Sequence, residues 1–403
     1  MPSDRLQQLV DSLAEQLQRS VVVDDPQVRM LATSRHFGDE DDVRVRAVLQ
    51  RDAGSAAVAH VLGSGVASWR AAGWIPAAPG IGMHPRWCLP VRWHGELLGL
   101  LMVIDARGEL AADDVELIEA AGTRLAAVME GERHAATAAT AATAAAVGGL
   151  LSGVPTERER ALADLATTGA APSGRHVRAV VLRATGVGPG DVGQARAAVR
   201  RGLDVLASRP GAAVLGAVDP ADPTTGTGLV VTAGPLDDAA TAELAGRAVA
   251  ELTAVAAGRF GAVAGTGPGV RGLAEAWRSH RPAELATRAV PRLAPGPVVD
   301  GSALGVHAVL LRVPAERWDE TALPPELVAL RAADPEGRLT GTLAAWLDAG
   351  GRAPVAAEAL HVHRTTLHYR LDRVRELTGA DLDDGKTRLR LHLGLAVARL
   401  LDG

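Results

Sequence analysis

The sequence predicts a multidomain protein of the α+β class, and three observations carry that expectation. Its 403 residues exceed what one hydrophobic core usually organises and suggest two to four domains of roughly 100–200 residues each. Strand-like and helix-like segments alternate up to about residue 300, and from 306 onward the pattern is helical. Between 135 and 146 the chain repeats Ala-Ala-Thr, a composition unlike that on either side.

The front unit, residues 1–131, reads as α/β. Over 4–19, Leu6, Leu9, Val10, Leu13 and Leu17 recur at three- and four-residue steps, which predicts a helix. Strands are expected at 19–23 and 28–33, around the turn Asp24-Asp25-Pro26, and short helices at 44–49 and 53–62. Residues 87–93 and 97–104 form a hairpin about His94-Gly95-Glu96. Its second arm is almost wholly apolar and must be a buried strand. Asp113 and Asp114 then open a helix with negative charge where its dipole favours it.

That helix has no strong stop before Gly148. Alanine is the best helix former, so one helix from about 113 to 147, roughly 50 Å long, is preferred over a passive linker. Residues 132–151 are accordingly a connecting helix. A second α/β unit at 152–300 follows in the order β-α-β-β-α-β-α, a ferredoxin-like or cyclase-like plan, with its last helix at 270–290. Residues 301–338 read as a connector, and 339–403 as an all-α unit whose first helix stops at Gly350-Gly351.

Composition excludes several functions. The net charge is −5 and the pI about 6.2, which argues against a large basic surface but not against a small local reader. A single cysteine, Cys88, rules out an internal disulfide framework and reads as a small buried apolar group. The N-terminus lacks the pattern of a signal peptide, and the long uncharged stretch at 135–156 has too few large aliphatics for a bilayer span, so a cytoplasmic protein without membrane contact is expected. No Gly-x-Ser-x-Gly, His-Glu-x-x-His or Walker pattern occurs, and neither catalytic residues nor metal ligands nor cofactors are expected.

The chemistry concentrates at 352–376, where five arginines face three acids, a local +2. Ala356, Ala357, Leu360, Val362, Leu367, Leu371 and Val374 are spaced as the buried positions of two crossing helices. The remainder at the start of the second helix are donors for phosphates and base edges: His363, Arg364, Thr365, Thr366, His368 and Tyr369, then Arg370 and Arg373. His363 is either structural or a base reader, and Tyr369 (the only tyrosine) either touches phosphate or packs inward.

This segment resembles the terminal signature of the PucR/CdaR-type family of bacterial transcription regulators. The resemblance rests on A-E-A-L-H-V-H-R-T-T-L-H-Y-R-L at 357–371, then E-L-T-G at 376–379 and a closing Leu-rich helix at 387–401. Thr365 stands where the family pattern has Asn, and His361 where many such turns carry Gly. Gly265-Thr-Gly267, Leu273, Ala276-Trp277 and Ala283 resemble the family's degenerate GGDEF-like domain. Active cyclases need carboxylates for Mg²⁺, but the first strand ends Leu-Arg-Ala-Thr at 182–185 and the hairpin holds Thr-Gly-Thr-Gly at 225–228, so this domain is expected to be inactive. The pattern at 265–269 reads as a tight turn in preference to a phosphate cradle. Leu89-Pro-Val-Arg92, residues 95–100 and the helix from Asp114 resemble a GAF-like sensing domain, in which Trp69, Trp74, Trp87 and Trp93 line a pocket or, preferably, fill the core. The resemblance implies a ligand-responsive regulator of a catabolic or metabolic operon. It would bind double-stranded DNA and an unidentified small-molecule effector as a homodimer or higher homo-oligomer. A nucleotide-cyclase-like enzyme or nucleotide-binding signalling protein is the alternative.

Overall fold

The apolar second arm of the hairpin becomes the central strand of a five-stranded antiparallel sheet. The structure is a computed structural model and describes residues 4–50, 53–293, 296–314 and 317–402. It divides into two compact units, 1–139 and 140–403.

The first unit opens with α1 (Asp4–Leu17), which buries Leu6, Val10, Leu13, Ala14 and Leu17. The strands β1 (Val21–Asp24) and β2 (Met30–Thr33) follow, then α2 (Asp42–Gln50) and α3 (Ser55–Gly63). Next come β3 (Gly73–Ile75), β4 (Arg86–Trp93) and β5 (Glu96–Ile104), in the sheet order β2-β1-β5-β4-β3. His94 and Gly95 turn the β4–β5 hairpin with φ of +46° and +88°, the positive values that a two-residue turn matched to strand twist demands. Strand β5 is paired on both edges and covered on both faces, which is why it carries no polar alternation. Leu101, Val103 and Val91 pack with α1 and Ile118 and Leu125 of the next helix. Leu100, Met102 and Cys88 pack on the other face with Val43, Ala57 and Val61.

Two expectations change here. The three-residue β3, too short for a periodicity, is held by its pairing with β4. The four tryptophans form no single cluster: Trp87 and Trp93 join one face of the sheet, Trp69 the other, and Trp74 is 45% exposed with its ring edge-on to Trp87.

The helix α4 (Ala112–Leu151) is continuous through the Ala-Thr repeat. Its alanines make it long and apolar enough, by length and composition alone, to cross a membrane, with a mean hydropathy of 1.2 over the best window.

The second unit adds α5 (Pro155–Thr167), which sequence periodicity did not reveal because only Ala161 and Leu165 are buried along it. There follow β6 (His176–Thr185), α6 (Val192–Ala207), β7 (Ala212–Val218), β8 (Thr225–Thr232), α7 (Asp238–Ala256), β9 (Gly261–Thr266), β10 (Val270–Arg271), α8 (Ala276–Leu293) and β11 (Val298–Asp300). The order β11-β9-β6-β8-β7 places the first strand between the fourth and third, all antiparallel, with β11 added parallel to β9. Along β6, Val180, Leu182 and Ala184 face α6 and α7, whereas Val177, Ala179 and Val181 face α5 and α8. The helix expected from 270 starts only at 276. Residues 270–271 instead pair with β6, whose edge takes their hydrogen bonds.

Gly265 and Gly267 form neither a turn nor a phosphate cradle. A Cβ on Gly265 would lie 1.9 Å from the Ala283 carbonyl oxygen, and one on Gly267 1.8 Å from that of Ser279. The glycines let the α8 backbone lie directly against β9. Ser279 Oγ locks the contact, donating to the Pro268 carbonyl at 2.6 Å and accepting the Ala179 N–H at 2.9 Å. Gly226 and Gly228 lie inside β8, where an added Cβ would press on the side chains of Val199, Leu203 and Leu206 of α6.

The remaining helices are α9 (His307–Leu310), α10 (Pro325–Ala333), α11 (Arg338–Asp348), α12 (Ala353–Ala359), α13 (Arg364–Thr378) and α14 (Gly385–Asp402). The segment 301–338 does more than connect. Its Leu304, Leu310, Leu323, Leu327 and Leu330 are buried in the same core as Trp346, Leu367 and Leu395, together with Ala286 and Ala289 of α8.

Candidate nucleic-acid interface

Helix α12 ends in a turn whose hydrogen bonds explain an odd residue. The Val362 N–H donates to the Ala357 carbonyl and the His361 N–H to that of Glu358, both at 3.0 Å. That 6→1 and 5→2 pair is a Schellman motif, which needs a left-handed residue one place past the cap and usually takes Gly. His361 occupies it with φ +52°. Histidine is among the few side chains that tolerate this region, so the departure from the Gly that many such turns carry is a local strain in an intact turn.

Helix α13 then begins. His363 is its N-cap: Nδ1 accepts the Thr365 N–H at 3.3 Å and lies 2.8 Å from Thr365 Oγ1. Leu367, Leu371 and Val374 are buried and anchor the helix to α10, α11 and α12. Leu360 and Val362 are half-buried against the same core.

The opposite face separates the sequence-derived candidates. His363, Arg364, Thr365, His368 and Tyr369 are exposed, Tyr369 by 72%. Arg364 has no hydrogen-bond or ion-pair partner among the described residues. Thr366 is half-buried. Arg370 is half-buried too, and its Nη1 donates to Thr342 Oγ1 of α11 at 3.3 Å, so it braces two helices. Arg373 is exposed but held by Glu376 at 2.8 Å, and Arg375 is held by Asp372 at 2.8 Å. No acid occurs from 359 to 371, so the first half of α13 presents donors with no internal counter-charge. The positive end of the helix dipole lies at the same place.

Cys88 is fully buried, and burial pushes its thiol up to about 12, so it stays protonated. No cluster of three or more His, Cys, Asp or Glu suited to a metal occurs among the described residues. His280, 3.2 Å from Thr227 Oγ1, is shifted below the usual imidazole range by its burial.

A short helix, a Schellman turn and a second helix with a bare basic front define a helix-turn-helix module. Residues 339–397 match the PucR C-terminal helix-turn-helix domain. Over 78 residues the chain is 41% identical to the carbohydrate diacid regulator of Escherichia coli (strain K12), covering 19% of this chain and 20% of that protein. It is 37% identical over 76 residues to the proline-responsive transcriptional activator PutR of Bacillus subtilis (strain 168), covering 18% of each. It is 40% identical over 63 residues to the purine catabolism regulatory protein of the same organism, covering 16% of this chain and 12% of that one. The matches thus span a fifth or less of these curated relatives. A solved structure, a regulator of polyketide synthase expression from Bifidobacterium adolescentis, is 21% identical with a TM-score of 0.31, covering 66% of this chain and 100% of that one.

Proposed function

We propose that this protein is a DNA-binding transcriptional regulator of catabolic or metabolic genes, and that it answers to a small molecule. One observation carries the reading. In a PucR-type helix-turn-helix domain, the first half of α13 offers Arg364, His363, Thr365, His368 and Tyr369 to solvent with no acid among them. Such groups at the start of a recognition helix reach base edges and phosphates in the major groove. The named activities of the three relatives, all regulators, support the same class.

In this reading the front unit is a GAF-like sensor, α4 is the connecting helix, and the middle domain is a degenerate GGDEF-like scaffold without enzymatic activity. The glycines at 265–267 and 226–228, spent on helix packing, support the last point. A homodimer in the cytoplasm would place two readers on half-sites about one helical turn apart or a multiple of it. The effector would bias the readers' spacing through its unequal affinity for two conformations.

A shift assay with the full chain, over the salt range 50–200 mM, tests the proposal. Sequence-selective retardation that weakens steeply with salt is expected. Binding indifferent to sequence and to salt would overturn it. Product from GTP and Mg²⁺ would overturn the reading of the middle domain.

A further inference from the structure

The front unit holds a cavity of about 250 Å³ bounded by β1, β2, α2, α3 and the start of β4. Part of its wall is aliphatic, with Val22, Val28, Val43 and Val58, and the exposed Gln27 and Arg29 also line it. Besides the exposed Arg29, the fold brings three buried ionisable side chains to it, Asp24, Arg44 and Arg86, each at least nine-tenths buried.

They are not equally satisfied. Arg86 Nη2 lies 2.9 and 2.8 Å from the two oxygens of Asp41. Burial alone would raise the Asp41 carboxyl, but the Arg86 charge and N–H bonds from Arg44 and His84 outweigh it and hold it below the usual range. Arg44 has no such carboxylate. Its Nη2 donates to the Ser34 carbonyl at 2.8 Å and to Ser34 Oγ at 3.3 Å, and its Nη1 to the Val21 carbonyl at 3.4 Å. The Nε atoms of both arginines and the Thr33 hydroxyl, which belong to residues lining the cavity and are themselves buried, have no partner among the described residues. The Asp24 carboxyl likewise has no hydrogen bond there. Burial lifts it to about 7, against the lowering charge of Arg86, with Asp25 raising and Arg44 lowering it further.

A buried guanidinium that is bonded only to carbonyl and hydroxyl oxygens among the described residues, with the nearby Asp39, Glu40 and Asp41 acting on it without a bond, beside unpaired donors and an open volume, is costly unless something fills the space. Val28 adds a sign of strain at the rim: a β-branched residue at φ +62°.

We propose that this cavity is the effector site and that it takes a small aliphatic carboxylate, the anion against the Arg44 and Arg86 side chains, the hydrocarbon against the valines. Asp24 then faces a second polar group of the ligand, such as a hydroxyl. At roughly 30 Å³ per water the volume holds about eight waters, which fits a short organic acid and not a nucleotide. The proposal rests on the reading of the front unit as a sensor and gives its effector a chemical class.

Thermal unfolding of the full chain tests it, with acetate, butyrate, succinate, glutarate and 2-oxoglutarate as probes. Butyramide, succinamide and chloride at equal ionic strength are the controls. At saturation at least one acid raises Tm by about 3 °C or more, and the controls do not. The rise disappears in Arg44→Gln and in Val58→Phe, which fills the cavity. Should Arg44→Gln not fold, Val58→Phe decides alone, once its far-ultraviolet dichroism matches the parent. No rise with any acid, an equal rise with the amides, or a rise retained in Val58→Phe overturns the proposal. The readout needs no DNA, so a protein that binds acids but no operator refutes the regulatory reading and leaves the site standing.

Discussion

Replacing Arg364 with Ala tests the placement of the recognition helix. Arg364 is the first residue of α13, exposed and without an internal partner among the described residues. A cation at a helix N-terminus opposes the dipole by about 0.3–1 kcal/mol, so Arg364→Ala leaves folding stability unchanged or slightly raised. Nothing in the fold explains a residue that the helix disfavours, whereas a DNA contact does. If Arg364 reads a base edge, its loss costs about 1–3 kcal/mol on the cognate site, roughly five- to 150-fold in affinity, and relaxes specificity at one position. If it holds a phosphate, affinity falls alike on cognate and scrambled duplexes, and the salt slope drops by about 0.9 per reader. Fluorescence anisotropy on both duplexes between 50 and 200 mM salt separates these cases. Unchanged affinity, slope and footprint, in a variant that melts like the parent, would refute the assignment.

Three further outcomes are expected. Relieving the left-handed backbone with His361→Gly raises stability by up to about 1 kcal/mol, since a left-handed non-Gly residue costs about 1–2 and glycine's entropy returns part of that; a lower Tm would contradict the turn geometry. Gly265→Ala drives a methyl into the Ala283 carbonyl and destabilises by at least about 1–3 kcal/mol, and a urea midpoint equal to the parent's would show that α8 does not lie so close to β9. Asp24 has a folded pKa of about 7 against 3.8, so its contribution to stability is complete below about pH 4 and is lost as pH rises through 7, about 4 kcal/mol in all. Chemical denaturation of the parent and Asp24→Asn at pH 4, 5.5 and 7.5 measures this, and parallel pH profiles would count against it.

The helix-turn-helix was legible in the sequence because its demands are local. Leu367, Leu371 and Val374 at steps of four and three, a turn, and a run from 359 to 371 without acids all fall within twenty residues. The Ala-Thr helix was legible for the same reason, since alanine's preference needs no partner. The roles of individual arginines were not. Arg370, Arg373 and Arg364 look alike in the chain, and only the packing turns the first to Thr342, closes the second on Glu376 and leaves the third bare.

Long-range contacts decided the rest. The glycines at 265 and 267 read as a turn because no local pattern announces a helix folded back over a strand. Asp24, Arg44 and Arg86 drew no notice, being separated by up to 62 positions in elements read for other reasons. By itself the sequence determined the long helix and the reader, where the free energy is set by neighbours in the chain, but not the short strands β3 and β10 or the sparsely buried α5. Only the tertiary structure decided which polar groups lose water together. Burial without a partner is a property of the assembled core, and no spacing along the chain encodes it.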